Sequence, residues 1–174
     1  MIRGEKVCLR PVRRSDLDIL HDHANDVNFE SEYNYFGLKR DQHLQSAFDS
    51  DGLLSTDFGT LIVTTLHDQF VGSVSYHPVR YGPGVSSLHY NIGISLAPEQ
   101  RGKGYGVEAQ QLLADYLFRT YPIGRVEAST DITNIPEQRA LEKAGFTREG
   151  VLRRAQWRNG EFHDLVLYSK IRGE

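Results

Sequence analysis

Residues Leu88 to Phe118, LHYNIGISLAPEQRGKGYGVEAQQLLADYLF, decide how this chain reads. Leu88 to Leu96 is rich in apolar and β-branched residues, which suit a pleated, half-buried surface. Pro98 ends the run, because proline cannot serve a sheet interior. Ala109, Leu112, Leu113, Tyr116 and Leu117 then recur at helical spacing and form one apolar stripe. Between strand and helix lies a turn holding Arg101, Gly102, Lys103, Gly104, Tyr105 and Gly106. N–H groups at a helix start have no partner within the helix, and the helix dipole adds partial positive charge there. Glycine lets a ligand approach the main chain closely. The turn therefore reads as an anion cradle, most naturally for a pyrophosphate.

Two familiar phosphate motifs do not fit. The P-loop needs Gly-x-x-x-x-Gly-Lys-Ser/Thr, but Gly102-Lys103 is followed by Gly104 and position 97 is alanine. The dinucleotide fingerprint needs Gly-x-Gly-x-x-Gly, and its third position here is Val107. Arg101-x-x-Gly104-x-Gly106, preceded by Leu96-Ala97-Pro98 at the end of a strand, resembles the acyl-coenzyme A binding motif of the GNAT superfamily of N-acetyltransferases. Strand, proline, basic turn and helix occur in that family's order.

Composition narrows the setting. A chain of 174 residues suits one domain, 1–174, with a sizeable core. A formal net charge of −3 implies no general attraction to nucleic acid or membrane. No apolar run approaches the ~18 residues of a membrane span, and Met1-Ile2-Arg3-Gly4-Glu5 does not begin a signal peptide. Cys8 is the single cysteine, so no internal disulfide or cysteine metal cluster forms, and Val7-Cys8-Leu9 reads as a buried strand with an inert thiol. A cytoplasmic location is the expectation.

Outward from the central stretch, Lys6 to Val12 reads as a strand, and Ser15 as the cap of a helix reaching Asn25 with Asp16 and Asp18 in its first turn. Asn25 to Gly37 reads as an irregular, acidic and aromatic loop, and Asp41 to Phe48 as a short helix. Phe58 to Leu66 and Gln69 to His77 pair as a hairpin about His67-Asp68, and Tyr81 to Gly84 is a loop. Past the central helix come a strand, Arg125 to Ser129, and a helix from Asn134 to Ala144 closed by Gly145. A strand follows from Phe146, then the hairpin signal Arg158-Asn159-Gly160-Glu161, then a last strand, Phe162 to Ile171.

This order is that of the GNAT fold over nearly the whole chain. The resemblance implies an α/β (α+β) domain with a central mixed, mostly antiparallel sheet of about seven strands. It is splayed at the central strand and carries four helices on its faces. Leu9-Arg10-Pro11 at the start, and Asn134, Glu142 to Phe146, Glu149-Gly150, Asp164 and Tyr168 towards the end, resemble the branch of ribosomal-protein N-terminal (Rim-type) acetyltransferases. The resemblance implies transfer of an acetyl group from acetyl-coenzyme A, a cosubstrate, to a primary amine, a protein N-terminus or a small molecule, with no metal. Monomer and homodimer both stay open.

It also implies site residues. The pyrophosphate would sit on the amides of Arg101 to Gly106, with Gln100 at the entry. The pantetheine arm would pair with the main chain of Ile94 to Leu96, including Ser95, and with Asn134, which reads equally as a plain helix cap. Gly93 would allow the bulge that opens the slot, and an N–H near Ile94 to Leu96 would polarise the acetyl carbonyl. Arg101 and Lys103 read either as phosphate ligands or as solvated charges.

Three family positions depart from pattern. The tyrosine that protonates the leaving thiolate is replaced by Leu141, and a serine of the Rim-type branch by Glu137. Glu137 could act as the acid only with a raised pKa; otherwise it complements the helix dipole. A glutamate that serves as base in the branch is Asn91 here. His89, on the same strand face, and Glu30 and Glu32, in the acidic loop, are the candidate bases. His21 and His23 point to different helix faces, which argues against a metal site. The alternative function is a non-catalytic acyl-coenzyme A binding or sensing module.

Overall fold

Main-chain pairing builds one eight-stranded sheet in the order β1-β2-β3-β4-β5-β6-β8-β7. The computed structural model describes residues 1–40, 42–84 and 87–174. The strands are β1 Ile2–Arg3, β2 Val7–Pro11, β3 Gly59–Thr65, β4 Phe70–Arg80, β5 Leu88–Leu96, β6 Arg125–Asp131, β7 Thr147–Arg158 and β8 Glu161–Ile171. The helices are α1 Leu17–Ala24, α2 Val27–Asn34, α3 His43–Asp51, α4 Tyr105–Thr120 and α5 Ile135–Lys143. All named strand pairs are antiparallel except β5 with β6.

Strand periodicity distributes the core between the two faces of the sheet. On β3, Leu61 and Val63 join the larger core with Val74, Tyr76 and Tyr90, against Leu113, Ala114 and Leu117 of α4, all fully buried. Ile62, between them, turns to the other face and packs with Val12, Leu17 and Leu53 beneath α1 and α3. Each such buried Leu or Ile contributes roughly 1.5–3 kcal/mol by leaving water. The long helix α4 is thus anchored by its apolar stripe, and its N-terminus is held at the end of β5. No helix among the described residues is long and apolar enough to cross a membrane.

The structure departs from the sequence reading at several elements. It adds β1 and α2, giving eight strands and five helices among the described residues. The first helix is entered not through Ser15 but through a short 3-10 turn, Arg14–Asp16. Asp16 is not a surface acid of a helix dipole. It is 8% exposed, takes two bonds from the Arg10 guanidinium at 2.7 and 2.9 Å, and accepts the Arg13 N–H at 2.7 Å. The expected loop at 25–37 contains α2, because Asp26 accepts the Asn28 N–H and starts a helical turn, which breaks at Ser31 (φ 65°). β4 runs to Arg80 rather than ending at His77, and α3 begins at His43; the expected start at Asp41 lies outside the described residues. The Asn159-Gly160 hairpin forms as read, with φ of 52° and 84°.

Candidate active site

The central strand loses a neighbour halfway along. β5 pairs with β6 only from Tyr90 to Ile92, opposite Val126 to Ala128, while its pairing with β4 continues unbroken to Leu96. The sheet is therefore splayed beyond Ile92. The bulge expected at Gly93 is absent from the β4 register; Gly93 sits opposite Ser75, whose Oγ a Cβ there would approach to 3.0 Å. Ile94 and Leu96 turn their main-chain polar groups into the gap. The Ile94 carbonyl accepts from Asn34 Nδ2 and the Leu96 carbonyl from Arg101 Nε, each at 3.0 Å. In an extended strand the N–H of a residue points the same way as its C=O, so both N–H groups face the gap as well.

The glycine turn closes one end of the gap. Gly102 and Gly104 have φ of 75° and 83°, conformations that side-chain-bearing residues resist. A Cβ on Gly102 would meet nothing within 4 Å, so the surface over the turn is open. At Gly104, the N-cap of α4, a Cβ would lie 3.1 Å from Lys6 Nζ. The basic side chains of the turn itself are occupied. Arg101 bonds the carbonyls of Leu96 and Phe29, and Lys103 Nζ bonds Gln100 Oε1 at 3.0 Å. The cation over the cradle comes instead from the β1–β2 turn. Glu108 of α4 fixes that turn by accepting the N–H groups of Glu5, Lys6 and Val7 at 2.5, 2.8 and 2.8 Å. No local signal in the sequence points to Lys6, because the contact joins the two ends of a long chain segment.

A cavity of about 460 Å³ runs from the turn along β5. It brings together Ile94, Ser95, Leu96, Arg101, Gly102, Gly104, Gly106, Asn134 and Glu137. Gln100, Lys103 and Tyr105 are not in its lining: Gln100 holds Lys103, and Tyr105 packs on the core. Asn134 caps α5, accepting the Glu137 N–H at 3.4 Å and donating to Thr130 Oγ1 at 3.1 Å, and it faces the cavity too. Burial raises the Glu137 carboxyl to about 7, against a smaller opposing bond from Gln110.

A second cavity, also about 460 Å³, lies on the α1 and α3 side of the strand. Its walls include Leu20, Phe29, Leu44, Phe58 and Phe70. The two cavities share Glu30, Asn34, Ile94 and Ser95. Ser95 Oγ donates to Glu30 Oε2 at 3.0 Å. Burial raises the Glu30 carboxyl above the ordinary carboxylate range, and the Ser95 bond and the charges of Arg101 and Lys39 pull the other way.

The other candidate bases stand elsewhere. Glu32 is exposed and lines neither cavity; its carbonyl accepts from Arg158, which is buried against Asp131. His89 lines neither cavity and is 4% exposed. Its ring stacks on Tyr81 at 4.7 Å, with Nε2 3.3 Å from Glu127 Oε1 and Nδ1 3.1 Å from the Ser87 carbonyl. The splay explains this: His89 lies near the other end of β5, before the segment Tyr90 to Ile92 that pairs with β6, whereas the gap opens after that segment. Leu141, at the family's tyrosine position, is fully buried. Among the described residues no group of three or more His, Cys, Asp or Glu could hold a metal.

The family model described as "Acetyltransferase (GNAT) domain" matches residues 6–147. The probable N-acetyltransferase YjcK of Bacillus subtilis is 29% identical over 94% of this chain and 93% of its own length. The putative ribosomal N-acetyltransferase YdaF of Bacillus subtilis is 35% identical over 52% of this chain and 54% of its own. Among solved structures, the spermidine N-acetyltransferase of Vibrio cholerae, crystallised with CoA and spermine, superposes with a TM-score of 0.83 at 20% identity, covering 97% of both chains.

Proposed function

This chain belongs to the acetyltransferase (GNAT) family, and from that premise we propose that it transfers an acetyl group from acetyl-coenzyme A directly to a primary amine. One observation carries the reading: two cavities, one ending in the glycine cradle, meet at the Glu30–Ser95 bond beside the stretch of β5 that has parted from β6. The Vibrio cholerae relative was crystallised with both CoA and spermine, an amine, and YdaF is a putative ribosomal N-acetyltransferase. Both point to amines as acceptors for this chain.

Acetyl-coenzyme A supplies an activated thioester, and the protein supplies position and proton traffic. The amides of Gly102 to Gly106, with Lys6 above them, hold the diphosphate. Ile94 and Leu96 offer N–H groups to the acetyl oxygen, as an oxyanion hole does. Glu30 accepts a proton from the ammonium, freeing the nitrogen lone pair to form the C–N bond. The C–S bond breaks as the adduct collapses, and Glu137, whose carboxyl burial raises to about 7, gives its proton to the sulfur in its protonated form. The second proton from the nitrogen leaves to solvent. Direct transfer needs no covalent enzyme intermediate.

The test is a calorimetric titration with coenzyme A, paired with thiol release over a panel of amines. Wild-type protein should bind coenzyme A and turn over at least one amine. Gly104→Glu should abolish binding by filling the cradle with bulk and negative charge. Undiminished binding in that variant would remove the cradle from the reading. Tight coenzyme A binding with no turnover of any amine would favour a sensing module instead.

A further inference from the structure

We propose that the acceptor is a small primary amine carrying one positive charge on an aromatic or branched apolar body; this rests on the acetyltransferase reading and narrows its substrate. The second cavity is built for such a body. Phe29, Phe36, Phe58, Phe70 and Leu20 line it, drawn from five separate stretches of the chain. Phe36 and Phe58 are 50% and 44% exposed, so the fold leaves two large rings uncovered at the same hollow. Uncovered apolar surface gathered in one concavity marks a binding site more than a packing defect.

Charge sets the head group. Among the described lining residues the formal charges are Glu30 and Lys39. Burial lowers the pKa of His23, which keeps that ring neutral. The site therefore offers one carboxylate, placed at the inner end where the cofactor cavity begins. One ammonium can pair with it. A second ammonium on the acceptor would lie among rings or beside Lys39, with no second carboxylate among the described lining residues to pair with it, and a desolvated charge without a partner is disfavoured. The geometry thus selects against polyamines.

His23 adds a polar detail. It stacks flat on Phe29, with centroids 3.6 Å apart and planes 10° from parallel, and its buried Nδ1 has no hydrogen-bond partner. A neutral imidazole carries one donor and one acceptor nitrogen, so this ring leaves a polar atom unsatisfied within the wall of the second cavity.

The experiment compares phenethylamine and tyramine with spermidine and with a short peptide bearing a free N-terminus. The readouts are coenzyme A thiol release and calorimetric binding to the coenzyme A-loaded protein. Expected is a kcat/KM at least roughly ten-fold higher for the two aryl amines than for spermidine or the peptide, of the size apolar pockets produce. Phe36→Asp should lower phenethylamine turnover and raise that of spermidine, because it adds a second carboxylate. Preference for spermidine or the peptide would overturn the inference. So would absence of calorimetric binding of either aryl amine. Aryl-amine binding without turnover would sustain the cavity assignment and defeat the acetyltransferase reading instead.

Discussion

Ser95 Oγ donates to Glu30 Oε2 at 3.0 Å, and this one bond stands where the two cavities of the protein join. It ties a side chain of the central strand to the broken helix α2, and it orients a carboxylate whose burial already makes it a better base than a surface glutamate.

Replacing that carboxylate tests its role. Glu30→Gln keeps the shape and the Ser95 contact but cannot take a proton. The expected loss in kcat is about 10²–10⁴-fold, with coenzyme A affinity unchanged. In the wild type, activity should fall as pH drops through the raised Glu30 pKa, since the protonated acid cannot act as base. The pH–rate profile of the variant should lack that acid limb; a profile identical to wild type would exclude Glu30.

Glu137 titrates in the opposite sense for stability. Its carboxyl has a pKa of about 7 in the fold against 4.5 for an ordinary glutamate. Between those values the folded protein holds a proton the unfolded chain has released. Its contribution is therefore full below pH 4.5, falls as pH rises between 4.5 and about 7, and is gone above that. Glu137→Gln removes this dependence. Urea melts at pH 5 and pH 8 should show the wild type losing stability relative to the variant. The alkaline limb of the rate profile near neutrality should also flatten. Parallel stability curves would refute the assignment.

Lys6 over Gly104 should matter more for coenzyme A than Lys103, although Lys103 belongs to the turn. Lys6→Ala should weaken coenzyme A binding by roughly ten-fold, the size of one charge-assisted bond to a phosphate. Lys103→Ala should cost less, because that side chain is held by Gln100. Dephospho-coenzyme A should show the same ratio if the contact is to the diphosphate. Titrations in which Lys103→Ala is the more damaging change would reverse the assignment.

Glu108 holds the turn that presents Lys6. Glu108→Ala leaves the N–H groups of Glu5, Lys6 and Val7 without their acceptor. The expected loss is about 1–3 kcal/mol in denaturant unfolding, together with weaker coenzyme A binding. Unchanged stability would show that water replaces the carboxylate at no cost.

The sequence was most legible where pattern is local. The stretch from Leu88 to Phe118 carries its strand run, its glycine turn and its helical stripe within a few residues of each other, and all three form as read. Asn159-Gly160 likewise fixes its hairpin by its own backbone preference. Reading failed where distant contacts decide. α2 buries only Phe29, so its sequence has no periodic face to recognise. Asp16 stands at a first-turn position, yet the Arg10 guanidinium of β2 claims its carboxylate. His89 shares a strand face with the slot, yet the slot opens only after Ile92, a boundary set by β6. The rings at 29, 36, 58 and 70 converge through tertiary packing alone, and no spacing announces them.

Asn34 and Arg101 occupy the carbonyls of Ile94 and Leu96 that the parting of β5 from β6 would otherwise bare. A strand with unmatched main-chain groups invites foreign strands to dock, and proteins that leave such borders open risk clumping. Here two side chains act as stand-ins, and on the proposed binding mode a thioester arm lying along the strand would share or take their places. Asn34 belongs to α2, so that exchange would free one mooring of the helix while the Ser95–Glu30 and Arg101–Phe29 bonds hold it elsewhere, and loading the donor would reach the acceptor's wall through this one side chain.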